Sequence, residues 1–115
     1  MIVDDNVINL KLASDLLEIE GFNVLRCMDA EYALKTLNQF IPDLVLMDIA
    51  LPGMDGIQLT RKLKTDEQTK KIKVVALTAF AMKGDHEKMM EAGCDGYITK
   101  PIDTRKFIDQ ITPYL

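Results

Sequence analysis

The chain has 115 residues, 48% of them hydrophobic and 28% charged, which suits one folded domain and argues against disorder. Its formal net charge of −4 argues against a basic face that grips nucleic acid. Two cysteines, Cys27 and Cys94, are too few and too far apart for a disulfide framework or a zinc site, and read as buried thiols in a reducing compartment. No apolar run approaches a membrane span and no signal peptide opens the chain, so a cytoplasmic location is expected.

Met1-Ile2-Val3 reads as the last part of a strand, shortened at its N-terminal side, and Asp4-Asp5-Asn6 follows it. Leu12, Leu16 and Ile19, with Ala13 and Leu17, recur at helical spacing up to Glu20, where Gly21 stops the helix. Phe22 to Cys27 contains a short strand centred on Val24-Leu25. Asp29 is the expected N-cap of a second helix, with Ala30, Ala33, Leu34, Leu37 and Ile41 on its apolar face and Pro42 at its end.

Leu44-Val45-Leu46-Met47 is an apolar run of the kind buried on both faces of a sheet, and it ends in Asp48. A Pro-Gly turn leads to a third helix, Gly56 to Lys64, with Leu59 and Leu63 turned inward. Thr65 to Lys71 is polar and reads as a loop or frayed helix end; Lys73 to Leu77 is a buried strand closing in Thr78. Ala79 to Lys83 connects to a fourth helix, Asp85 to Ala92, ended by Gly93. Gly96-Tyr97-Ile98 is a fifth short strand running into Thr99-Lys100-Pro101. Asp103 or Thr104 is the expected cap of a last helix carrying Phe107, Ile108, Ile111 and Leu115 on one face. Five alternations of strand and helix predict an α/β fold with parallel pairing. No Gly-x-Gly-x-x-Gly or Gly-x-x-x-x-Gly-Lys-Ser/Thr occurs, which removes dinucleotide and P-loop readings.

In a parallel sheet the carboxyl ends of the strands share one edge, where α/β proteins bind ligands. That edge is predicted to gather Asp4 and Asp5, Asp48, Thr78 and Lys100. Three close carboxylates call for a cation, and oxygen ligands favour a hard one, Mg²⁺ or Mn²⁺. A lysine and a threonine hydroxyl suit phosphoryl oxygens, and an aspartate carboxylate is a competent phosphoryl nucleophile. Each residue has a plainer reading alone. Asp4 and Asp5 could cap the first helix, Asp48 could be a turn residue, Thr78 a strand end and Lys100 solvated surface. Tyr97 could be packing, and Met82, Met89 and Met90 core filler. It is their joint placement at one edge that favours the functional reading.

The motifs Val3-Asp4-Asp5-Asn6, Leu46 to Gly56, Ala76-Leu77-Thr78-Ala79 and Tyr97-Ile98-Thr99-Lys100-Pro101 resemble the receiver domain of two-component response regulators. Asp48 and Thr78 lie 30 positions apart, and Thr78 and Lys100 lie 22 apart, which fits that resemblance over residues 1–115. Thr78 to Asp85 is similar to single-domain regulators of the cell-division type and to receivers of hybrid histidine kinases. The resemblance implies a flavodoxin-like, doubly wound five-stranded parallel sheet of order 2-1-3-4-5 flanked by five helices. It implies that Asp48 accepts a phosphoryl group from a histidine kinase or a phosphotransfer protein. Asp5 would bind Mg²⁺ directly, Asp4 through water, and the Ala50 carbonyl would be a further ligand beside Asp48. Lys100 would pair with the phosphoryl oxygens, with a cis bond to Pro101. Thr78 would swing toward the phosphoryl group and Tyr97 turn inward. The output would be a partner protein on the face of the fourth helix, fifth strand and last helix, including Met82, His86, Met89, Tyr97 and Lys106.

Ala50 and Phe80, two positions after Asp48 and Thr78, are apolar where polar groups could orient a hydrolytic water, so slow loss of the phosphoryl group is expected. No activity as an enzyme is expected beyond self-catalysed uptake and hydrolysis. A phosphatase of the haloacid dehalogenase type would need a second Asp where Ala50 stands. A flavodoxin-like electron carrier would need a phosphate loop after the first strand and an aromatic flavin stack. A degenerate, interaction-only receiver would have lost Asp48, Thr78 or Lys100. A DNA-binding regulator would need an effector domain, for which the ending at Leu115 is read as leaving no room; a receiver that is part of a larger protein remains open.

Overall fold

The computed structural model describes residues 1–51, 53–79 and 83–115, without the side chains of 83–86. The sequence motif positions Pro52, Phe80, Ala81 and Met82, and the His86 side chain, lie outside the described residues. Strands β1 (Ile2–Val3), β2 (Arg26–Cys27), β3 (Leu44–Asp48), β4 (Lys73–Thr78) and β5 (Gly96–Thr99) alternate with helices α1 (Val7–Ile19), α2 (Ala30–Leu37), α3 (Gly56–Thr65), α4 (Lys83–Ala92) and α5 (Phe107–Ile111). A 3₁₀ turn, Thr112–Tyr114, follows α5. The five strands form one parallel sheet in the order β2-β1-β3-β4-β5, as the resemblance implied.

Period-two alternation divides the apolar strand residues between two cores. Val3, Val45, Met47, Val74 and Ala76 meet Ala30, Ala33 and Leu37 of α2, Leu59 and Leu63 of α3 and Met89 of α4 on one face. Ile2, Leu44, Leu46, Val75, Leu77 and Ile98 meet Leu10, Ala13 and Leu17 of α1 and Phe107 and Ile111 of α5 on the other. This is why β3 and β4 read as unbroken apolar runs: each has a helix layer on both sides. Cys27 and Cys94 are both free and buried, and burial raises both thiol pKa values.

Several local expectations are corrected. The cap of α1 is Asn6, whose side chain accepts the Ile8 and Asn9 N–H groups at 3.0 and 3.1 Å, not Asp4 or Asp5. Strand β2 is confined to Arg26–Cys27 rather than centred on Val24-Leu25, because the neighbouring strand β1 offers only Ile2 and Val3 to pair with. Helix α2 ends at Leu37, well before Pro42; the Thr36 carbonyl takes both the Gln39 and Phe40 N–H groups, closing the helix in tight turns. Ile41 is therefore not on its face and is 56% exposed. Helix α4 begins at Lys83, two residues before the expected start. Helix α5 begins at Phe107 without a side-chain cap; Asp103 accepts the Arg105 N–H within the preceding turn, and Leu115 is exposed.

Candidate functional site

Asp4 leaves the end of β1 fully buried, because its N–H stays in the sheet, donating to the Cys27 carbonyl at 3.0 Å. Its Oδ1 accepts the Asn6 N–H at 2.9 Å, which turns the chain into α1 and leaves Asp5 exposed at the mouth. Asp48 ends β3, buried, and its Oδ1 accepts the Ala50 N–H at 3.0 Å. The Gly56 N–H donates to the Ile49 carbonyl at 3.1 Å, and a Cβ at Gly56 would collide with the Asp48 carbonyl oxygen. The start of α3, held by a reciprocal capping box between Asp55 and Gln58, therefore lies directly against the backbone of the strand end that presents Asp48.

Thr78 ends β4, buried, beside Thr99 of β5. The Lys100 N–H donates to the Thr78 carbonyl at 2.7 Å, and the Lys100–Pro101 peptide is cis, as expected. The Lys100 Nζ then lies 3.1 Å from Asp4 Oδ2 and 3.1 Å from Asp48 Oδ2. Burial works to lower the Lys100 pKa, but its hydrogen bonds and charge contacts with Asp4 and Asp48 outweigh this, so the ammonium is held above its ordinary pKa. For Asp4 burial wins: its pKa is raised despite the Asn6 N–H and Lys100, with the Asp48 charge adding to the rise.

One oxygen each from Asp4, Asp5 and Asp48 lies within 4.8 Å of the others, a spacing and donor set that suit a hard divalent cation. A cleft of about 410 Å³ opens over Asp5 and Asp48, lined also by Asn6, Asn9, Ile49, Ala50, Ile57, Thr78, Ala79 and Lys100, with Asp4 buried beneath it. Asp4, Asp5, Asp48, Ala50, Thr78 and Lys100 thus lie together at this edge. Tyr97 is apart from them, 40% exposed on β5. Of the expected partner face, Met89 is buried in the core, while Lys106 is exposed. Sequence reasoning overlooked Asn9, Ile57 and the tight approach of Gly56. The signal for Gly56 was present, as a glycine directly after a capping Asp.

The response regulator receiver domain family model matches residues 1–112. The chain belongs to the response regulator receiver family. It is 47% identical to the polar-differentiation response regulator DivK of Brucella ovis over 115 residues, all of this chain and 94% of that protein. The chemotaxis response regulator CheY4 of Vibrio cholerae has the same fold, with a TM-score of 0.93 at 21% identity over 99% of this chain and 95% of that one. The receiver domain of the sensor histidine kinase PA1611 of Pseudomonas aeruginosa PAO1 superposes with a TM-score of 0.89 at 29% identity, over 98% of this chain and 93% of that one. That receiver was determined with a magnesium ion coordinated in its active-site cleft. Phosphorylation-based signalling is the general business of this receiver family. Among the described residues, no helix is long and apolar enough to cross a membrane.

Proposed function

We propose that this receiver, over residues 1–115, is a phosphorylation-controlled signalling domain in which Asp48 takes a phosphoryl group from a histidine kinase or a phosphotransfer protein. The observation that carries this is the Lys100 ammonium held 3.1 Å from the Asp48 carboxylate, at the floor of a cleft with Asp4 and Asp5 beside it. An Asp48 oxygen forms the new P–O bond as the donor's N–P bond breaks, and the electron pair of that bond stays on the departing imidazole nitrogen. Lys100 follows the charge, exchanging its carboxylate contacts for phosphoryl oxygens.

Asp5 and Asp48, with the Ala50 carbonyl and with Asp4 through water, would hold Mg²⁺, for which Mn²⁺ could substitute. The magnesium-bound receiver of PA1611 supports that choice of ion. When bound, the ion supplies positive charge against the phosphoryl oxygens. Thr78, whose strand end abuts Lys100, would turn its hydroxyl to the phosphoryl group, and Tyr97 would move inward as Thr78 leaves. The phosphoryl group thereby favours one of two exchanging arrangements by its contacts with Thr78 and Lys100. The readout would be a protein partner on the α4-β5-α5 face, with neither nucleic acid nor membrane engaged directly, in the cytoplasm. No turnover of a separate substrate is involved; uptake and loss of the phosphoryl group are self-catalysed. The retention of Asp48, Thr78 and Lys100 together argues against an interaction-only receiver.

The test is the intact mass after incubation with acetyl phosphate, with and without Mg²⁺, on the parent and on Asp48→Asn. A metal-dependent gain of one phosphoryl group in the parent alone is expected. Labelling of Asp48→Asn to the same extent would refute the assignment.

A further inference from the structure

Helices α1 and α3 begin with the same capping device and complete it differently. At the start of α3 the box is closed: Asp55 accepts the Gln58 N–H at 2.8 Å, and the Gln58 side chain accepts the Asp55 N–H at 3.1 Å. At the start of α1 only half of it forms. Asn6 accepts the Asn9 N–H at 3.1 Å, but the Asn6 N–H is already given to Asp4 Oδ1 at 2.9 Å. The Asn9 side chain, which holds the place of Gln58, is thereby released from capping.

That side chain is not left to solvent. Asn9 is half-buried and lines the Asp48 cleft together with Asp5, on the wall that the start of α1 contributes. It precedes the buried Ala13 by one turn, which keeps it on the flank of α1 that faces the sheet. Among the described residues, neither the Asn9 carboxamide nor the Asp5 carboxylate has a hydrogen-bond or ion-pair partner. Asn6, the third polar residue of this wall, has its side-chain oxygen taken by the Ile8 and Asn9 N–H groups. The wall thus presents an unpaired acceptor, Asp5, beside an unpaired side chain with an N–H₂ donor, Asn9.

A carboxylate that binds a small divalent ion through one oxygen keeps lone pairs on the other. Carboxylates that ligate metals are themselves hydrogen-bonded, and losing such a partner typically weakens metal binding about 10–100-fold. Asp48 already has partners of this kind, the Ala50 N–H at 3.0 Å and the Lys100 ammonium at 3.1 Å. Asp4 has the Asn6 N–H and Lys100. Asp5 has neither, and Asn9 is the donor on its own wall. A carboxamide also carries no charge, so it can hold a carboxylate without repelling the cation that the carboxylate serves.

We propose that Asn9 is a positioning residue for the cation site: its carboxamide N–H donates to the Asp5 oxygen left uncoordinated when Asp5 binds Mg²⁺, and so fixes that carboxylate toward the ion. This rests on the reading of the cleft as an Mg²⁺ site. Asp4 gains a further task by it, since taking the Asn6 N–H is what frees Asn9 for Asp5.

Mg²⁺ affinity is measured directly, from amide NMR shifts during titration with MgCl₂ at constant ionic strength, in the parent, Asn9→Ala, Asp5→Asn and the double variant. Alanine removes the carboxamide and is a better helix former, so the fold is kept. Asn9→Ala is expected to bind Mg²⁺ about tenfold more weakly than the parent. In the Asp5→Asn background the same change is expected to alter affinity by at most about twofold, because Asn9 acts through Asp5. Parental affinity in Asn9→Ala, alongside weakened binding in Asp5→Asn, would overturn this proposal and leave the Mg²⁺ reading standing. An equal loss from Asn9→Ala in both backgrounds would overturn it as well, since Asn9 would then act on the ion or its waters and not through Asp5. Unchanged affinity in Asp5→Asn would overturn the Mg²⁺ reading itself, and this proposal with it.

Discussion

Lys100 is the residue on which the candidate site turns. Its ammonium sits between Asp4 and Asp48, and its side chain is only 14% exposed, so it offsets two buried carboxylates at once. Replacing it by Met leaves those carboxylates with less compensation, and the expected cost is about 1–3 kcal/mol. Mg²⁺ should recover part of that loss, because a cation in the cleft takes over the role of the ammonium; urea unfolding of Lys100→Met with and without MgCl₂ checks this. A Lys100→Met protein as stable as the parent, and indifferent to Mg²⁺, would mean that the pair is not coupled to the proposed Mg²⁺ site. A second consequence sits at Ala50, exposed in the cleft two positions past Asp48. A methyl group there cannot orient an attacking water. The Ala50→Glu protein is therefore expected to lose its phosphoryl group faster than the parent, read as the decay of phosphorylated mass after acetyl phosphate is removed.

At the scale of elements, the site depends on how closely α3 approaches the end of β3. Gly56 begins the helix in a space where a Cβ would strike the Asp48 carbonyl oxygen and come within 2.9 Å of the Ile49 Cα. The neighbours are backbone and cannot swing aside as a flexible side chain would. Gly56→Ala should cost about 1–3 kcal/mol by overpacking. It should also slow phosphorylation by acetyl phosphate, since the strain falls on the strand end that aims Asp48. A stable variant with parental phosphorylation would show that the helix start can back away without moving the carboxylate. The same helix carries a second tie. Lys64 Nζ donates to the Ile72 carbonyl at 2.7 Å and to Asp95 Oδ2 at 2.9 Å, and Asp95 Oδ2 accepts the Val74 N–H at 2.8 Å. One ion pair thus joins α3, the start of β4 and the turn into β5.

For the whole molecule that tie sets part of the acid limit. Burial works against the Asp95 carboxylate, but the Lys64 and Val74 hydrogen bonds outweigh it and its pKa lies below the ordinary value. A carboxylate depressed on folding contributes stability above its unfolded pKa and loses it as pH falls through the folded one, below about pH 4. Asp4 works in the opposite sense. Its pKa is raised chiefly by burial, so its contribution is present at acid pH and fades as pH rises through the raised value. Asp95→Asn is expected to be less stable than the parent by about 1–3 kcal/mol at pH 7, with the gap narrowing below about pH 4. Urea unfolding between pH 3 and 7 measures it, and a gap that stays constant over that range would remove Asp95 from the acid response.

The alternation of apolar runs with helical spacing was enough to establish five strands, five helices and the parallel sheet, because burial on two faces leaves an unbroken apolar signature in β3 and β4. The site residues were legible for a related reason. In a parallel sheet every strand ends at the same edge, so Asp4, Asp5, Asp48, Thr78 and Lys100 could be placed together from strand ends alone. What the tertiary structure decided was whatever depends on a partner distant in sequence. It placed Lys100 between Asp4 and Asp48, which no local pattern encodes. It brought Gly56 against the Asp48 backbone and left Tyr97 on an exposed strand edge. It cut β2 to two residues, since a strand extends only as far as its neighbour does, and it closed α2 at Leu37 through hydrogen bonds that spacing does not reveal. Side-chain period is a property of the chain itself; pairing, capping and counter-charge belong to the assembled molecule.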